Sequence, residues 1–193
     1  MISGCAEDTN TTEGPLVING YILPPMPDKA LNDSTLLGID SNDNGIRDDV
    51  EIYIIKRFET AEYPKTKTAI ALQYAWSSQK ILENPSLESS KYEDDALACQ
   101  TYWMRKEQKD VHQRIINLAK TDFNASIQKN LEASKWRTKH EVFGDIEIKD
   151  KIYNTKERIQ QKFFYNEALS GKILTIGTKS IDRCLINIDG LGE

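Results

Sequence analysis

The chain has 193 residues, 39% hydrophobic and 28% charged, with a net charge of −5 at pH 7. That length suits one domain with a real core, and no apolar run approaches the ~20 residues of a membrane-spanning helix. With no single-sign face evident in the charge pattern, nucleic acid is excluded as the expected partner, because phosphate binding needs clustered cations.

Residues 1–14 are polar and read as a tether. Residues 15–30 set Pro15, Pro24, Pro25 and Pro27 among Val17, Ile18, Tyr21, Ile22 and Leu23. Proline fixes φ and removes a donor, so this stretch predicts an extended arm packed along the domain rather than a helix. The expected division is residues 1–30 as tether and arm, and residues 31–193 as a helical domain. Leu36, Leu37 and Ile39 then lead into residues 40–51, D-S-N-D-N-G-I-R-D-D-V-E.

This twelve-residue stretch has the spacing of a calcium loop. Asp40, Asn42, Asn44, Asp48 and Glu51 fall at positions 1, 3, 5, 9 and 12, with Gly45 at position 6. Calcium takes roughly 6–8 oxygen ligands, and alternate side chains in a tight loop can converge on one point. Gly45 permits the sharp turn, since a residue without Cβ tolerates positive φ. Ile46, at position 7, would offer its backbone carbonyl, and Glu51 would close the shell. Position 8 departs from the EF-hand pattern, with Arg47 where an aliphatic residue is usual. N-G-I-R-D-D-V-E is more similar to the D-G-I-P-D-x-x-E pattern of thrombospondin type 3-like calcium loops in secreted bacterial proteins. That resemblance covers about a dozen residues and implies Ca2+ on Asp40, Asn42, Asn44, Ile46, Asp48 and Glu51. Two asparagines stand where such loops often have aspartate, which lowers the ligand charge. The plain alternative is an acidic turn before a helix.

Beyond the loop the pattern is mainly α-helical. Val50, Ile54, Ile55 and Phe58 predict a first helix over about 48–61, and Pro64 suits the start of a second reaching about Leu82. A third is expected from Ser86 to about Lys109, with Tyr92, Ala96, Cys99 and Trp103 on one stripe, and Val111, Ile115 and Leu118 continue the period. Phe123, Ile127 and Leu131 mark the next helix, with Thr121 as its cap. Asn154-x-x-Glu157 resembles a capping box, opening a helix through Ile159, Phe163 and Leu169 that Gly171 could end. Residues 142–153, with Ile146, Ile148 and Ile152 among charges, admit a short strand or an extended loop, and residues 173–188 admit a strand or short helix. The expected architecture is a bundle-like helical domain with an extended N-terminal arm.

Ile2-Ser3-Gly4-Cys5 resembles the end of a bacterial lipobox, which implies a lipid on Cys5 and makes that the expected membrane contact; neither a basic nor an apolar leader segment stands before it. Cys99 and Cys184 stay reduced in a reducing compartment, or in an oxidising one close a loop of 85 residues. The lipobox-like start and the calcium loop favour export, to the periplasm or outer membrane, and with it the bridge. The chain resembles uncharacterised bacterial exported lipoproteins that carry a single such loop ahead of helices. The resemblance implies a location and no activity.

No catalytic constellation stands out. His112 and His140 lie far apart and are expected on the surface or a helix face, because a zinc site needs three or four converging groups. Glu93, Asp94 and Asp95 are consecutive and point different ways on a helix, which reads as a solvated turn, while Trp76, Trp103 and Trp136 read as core. The expected function is that of a calcium-loaded binding or structural module at the cell envelope, its partner a protein or an envelope polymer. The alternative is a hydrolase acting on such a polymer from a cleft between helices.

Overall fold

The computed structural model describes residues 14–172 and 177–192. Its architecture is mainly α-helical, and eight α-helices run in order among the described residues. A two-stranded hairpin, β1 (Val17–Ile18) and β2 (Tyr21–Ile22), precedes α1 (Lys29–Asp33). Then come α2 (Asp48–Arg57), α3 (Pro64–Glu83), α4 (Ser90–Glu107) and α5 (Lys109–Thr121). The series ends with α6 (Phe123–His140), α7 (Ile146–Ile152) and α8 (Lys156–Leu169).

The axis of the molecule is α3. Pro64 sits at its first turn, where a missing N–H costs nothing. Nearly every side chain of this helix is buried, including Ala69, Ala71, Ala75, Ser77 and Ser78, whose small size lets neighbours approach from several sides. A helix covered all round belongs at the centre of a core; here α2, α4, α7 and α8 surround it. Val50, Ile54, Phe58, Tyr74, Ala96, Trp103, Ile148 and Ile152 join it in one hydrophobic cluster.

The arm is ordered differently from the expectation. Asn19 and Gly20 both adopt positive φ (52° and 87°), as a tight two-residue hairpin turn demands, and Val17 pairs with Ile22. Asn19 Nδ2 donates to Glu59 O (3.0 Å) and the Tyr21 hydroxyl to Lys65 O (3.2 Å), so the hairpin does lie against the domain. Residues 142–153 form no strand: Asp145 caps α7, its carboxylate accepting from the Glu147 and Ile148 amides. The alternating isoleucines misled, because Ile148 and Ile152 are an i, i+4 helical pair turned inward while Ile146 is exposed. Residues 173–176 lie outside the described residues; Ile181–Arg183 and Ile188–Gly190 are 3-10 turns.

Two caps and one helix start differ by a residue or more. Asp122, not Thr121, caps α6 through the Ala125 amide (2.9 Å), and Thr155, not Asn154, caps α8 through the Arg158 amide (3.3 Å). The segment from Ser86 begins as a 3-10 turn, Leu87–Ser89, before α4. His112 is exposed as expected, but His140 is fully buried against Tyr63, Trp103 and Trp136. Burial, with the nearby Lys67 charge, holds its imidazole below the ordinary histidine range, so it packs as a neutral ring. Cys99 and Cys184 are disulfide-bonded, their Cα atoms 4.9 Å apart.

Candidate metal centre

The loop of residues 40–51 is seated on the core at both ends. Ile46 is buried in the hydrophobic cluster beside Val50 and Ile54, so its side chain points away from the loop and serves as an anchor. Gly45 has φ +81°, and a Cβ there would come within 2.9 Å of the Trp76 ring. Both the backbone conformation and the indole therefore require glycine. Asp48 opens α2; its amide donates to Ile39 O (2.8 Å) and its buried carboxylate accepts from Ser41 N (3.0 Å), closing the base of the loop.

The oxygen side chains fold inward from this frame. The Asp40 carboxylate accepts from the amides of Asn44 (3.2 Å) and Gly45 (2.7 Å), which fixes its orientation. Asn42 Nδ2 and Asn44 Nδ2 both donate to one oxygen of Glu51, Oε2, at 3.1 and 2.8 Å. Asn42 Oδ1 accepts from Asn44 N (3.3 Å) and Asn44 Oδ1 from Ile46 N (2.8 Å). Positions 1, 3, 5 and 12 are thus joined in one hydrogen-bonded ring, with position 9 below it.

Glu51 carries the electrostatic tension of the ring. Burial, the largest influence, raises its carboxyl above the ordinary range; Asp48 and Asp40 raise it further, and the two asparagine amides only partly offset this. Asp43 and Asp49 stand outside the ring. Asp43 is exposed at φ +54°. Asp49 pairs with Arg47 and with Lys151 (3.1 Å); burial raises its carboxyl, and the hydrogen bonds and charges of these two cations outweigh burial and hold it low.

The residues fit a hard cation in type and charge. Asp40, Asp48 and Glu51 supply three negative charges, and a half-turn of each asparagine amide exchanges nitrogen for oxygen at the Glu51 side. That turn would give up the bonds that the two side-chain oxygens accept from Asn44 N (3.3 Å) and Ile46 N (2.8 Å). As the chain stands, amide N–H groups answer the Glu51 carboxylate where a cation would. Among the described residues no three His, Cys, Asp or Glu side chains are gathered as a metal-ligand group, so Asp40, Asp48 and Glu51 do not close on one point as the chain stands.

Two arginines that hold the loop carry no signal in the sequence pattern. Arg47, at the position where the pattern departs from an EF-hand, is buried and donates to Lys151 O (2.7 Å) and Ile152 O (3.2 Å). It satisfies the last carbonyls of α7, a favourable place for a cation. Arg158 of α8 is also fully buried and donates to Asn32 O (2.7 Å), Thr35 O (3.0 Å), Leu36 O (3.0 Å) and Asp33 Oδ1 (3.1 Å). Asn154 Oδ1 accepts from both guanidinium groups. Gly38, at φ +73°, leaves the room that the Arg47 stem fills. Cys5 lies outside the described residues. No family model, curated protein or solved structure matches the chain.

Proposed function

We propose that this chain is a calcium-stabilised binding or structural module of the bacterial cell envelope. Calcium would be held by Asp40, Asn42, Asn44, the Ile46 carbonyl, Asp48 and Glu51. The observation that carries the reading is the convergence of Asn42 and Asn44 on the buried Glu51 carboxylate (3.1 and 2.8 Å), across a turn that only glycine allows. A raised, buried carboxyl facing Asp40 and Asp48 gains most from a divalent cation. The ion would draw the segment before α2 onto the first turn of that helix and remove the repulsion among three acids. Export is supported by the Cys99–Cys184 bond, which persists in oxidising compartments, and a lipid on Cys5 belongs to the same proposal.

The test is thermal unfolding in EDTA, then with added calcium or magnesium, beside an Asp40→Ala, Glu51→Ala variant. Extracellular calcium modules bind with Kd of roughly 0.1–1 mM. At 10 mM calcium, mass action then adds about 1.4–2.7 kcal/mol, a rise in Tm of roughly 3–10 °C for a domain of this size. Calcium should give that rise in the native chain and not in the variant. A native chain stripped of metal whose Tm ignores calcium would end the proposal.

A further inference from the structure

The helical hairpin of α5 and α6 turns an apolar stripe to solvent. Phe123, Ile127 and Leu131 recur at i, i+4 and i+8 on α6, a spacing that in the sequence reads as a core face. They are 67%, 41% and 49% exposed. The face that α6 buries is instead Ser126, Ala133 and His140, and α5 has no buried residue at all. The two helices pack chiefly on each other. Their junction, Thr121-Asp122-Phe123, is exposed throughout, with Phe123 at the start of the stripe.

The charge of the hairpin is opposite to that of the chain. Residues 109–140 hold seven lysines and arginines against three acids, a surplus of +4 in a chain whose net charge is −5. Lys109, Arg114, Lys120 and Lys135 are exposed, and none of them takes part in an ion pair among the described residues. A second exposed apolar pair, Ile159 and Phe163 on α8, lacks this setting, because Lys156 and Lys162 there are matched by Glu157 and Glu167.

We propose that the α5–α6 hairpin docks on an anionic lipid surface, with Phe123, Ile127 and Leu131 entering the headgroup boundary and Lys120 and Lys135, three residues before the stripe and four after it, meeting lipid phosphates. An exposed apolar stripe about 12 Å long on a hairpin with a surplus of cations is the pattern of an interfacial helix. Charge complementarity selects this occupant. Two copies joined stripe to stripe would bring two +4 hairpins face to face, and nucleic acid would leave the stripe unused. The inference is independent of the calcium loop, and docking is expected without the ion.

The experiment is sedimentation of the purified chain with phosphatidylglycerol or phosphatidylcholine vesicles, in EDTA so that calcium cannot bridge protein to lipid. Binding to the anionic vesicles, weakened by salt and absent on phosphatidylcholine, is the expected result. Each lysine near an anionic surface contributes about fivefold, so Lys120→Gln, Lys135→Gln should weaken partition roughly 25-fold. Phe123→Ser, Ile127→Ser should weaken it tenfold or more, by removing apolar burial, and Phe163→Ser should leave it unchanged. Because these side chains are exposed, the variants should keep the native Tm, which is measured alongside. No sedimentation with anionic vesicles overturns the proposal. So does binding that the Phe123 variant retains, and so does a dimer in solution that depends on Phe123 while vesicles stay bare.

Discussion

Glu51 is the residue on which the calcium reading turns, and its chemistry gives a test that separates charge from shape. Burial raises its carboxyl above the usual 4.5, with Asp48 and Asp40 adding to the shift. An acid whose folded value lies above its unfolded one contributes stability that is complete below the unfolded value and is lost as pH rises through the folded value. Without metal, Glu51 therefore contributes less stability at neutral pH than below 4.5. Glu51→Gln keeps an oxygen for Asn42 and Asn44 and removes the charge. In EDTA at pH 7 the Gln variant should unfold at a higher temperature than the native chain, and the gap should close as pH falls towards 4.5. In 10 mM calcium the order should reverse, because the native chain gains the ion's roughly 3–10 °C and the variant does not. Calorimetric melts at a few pH values, with and without calcium, read both effects. A Gln variant less stable than the native chain in EDTA at neutral pH would show that Glu51 is not under electrostatic tension.

At the scale of elements, the loop is held by helices far from it in sequence. Arg158 of α8 donates to three backbone carbonyls and one carboxylate between Asn32 and Leu36, and Arg47 closes the end of α7. Burial and the Arg47 charge lower Arg158, and Asp33 and Asp49 work against this. Arg158→Met would fill the space but take the guanidinium donors from those carbonyls and leave Asp33 with Lys29 and Asn154 alone. The expected loss is about 3–5 kcal/mol in denaturant unfolding, with a smaller calcium response because the segment before the loop is freed. Arg158→Lys should not rescue it, since one ammonium cannot span the fork. A loss under about 1 kcal/mol would mean that water replaces the guanidinium. This tie was illegible in the sequence because its acceptors are backbone carbonyls more than 120 positions away, which no spacing rule records. The legible elements were those whose signal is local. Pro64 gave the start of α3, and Gly45 gave the turn ahead of α2. Periodicity found α6 and α8 but not their buried faces, since Phe123 and Phe163 are exposed and neighbours decide which side is covered. Asn19-Gly20 was a readable hairpin signal, obscured by the prolines around it.

At the scale of the whole molecule, the C-terminal segment straps α3 and α4 together, and the disulfide is one of several fastenings. Cys184 bonds Cys99 of α4, while Gln73 of α3 donates to Arg183 O (2.7 Å) and accepts from Leu185 N (3.1 Å). Asp189 accepts from the Tyr102 hydroxyl (2.6 Å) and from Lys106 (2.9 Å), and Ile188 enters the core. These contacts act only in the folded state. The covalent bond acts chiefly on the unfolded chain, where it closes a loop of 85 residues, so the two kinds of fastening should separate by experiment. Cys99→Ser, Cys184→Ser should lower stability by up to about 4–5 kcal/mol in the loop-entropy account, while helical circular dichroism before the transition stays native because the noncovalent strap persists. The denaturant slope should rise, since an unlinked unfolded chain exposes more surface. The calcium increment should be nearly unchanged, because no hydrogen bond among the described residues joins the loop to the disulfide and effects at independent sites add. An unfolding midpoint that ignores the loss of both sulfurs would assign the strap wholly to Gln73, Asp189 and Ile188. A lost calcium increment would instead tie the two ends of the domain into one cooperative unit through α3.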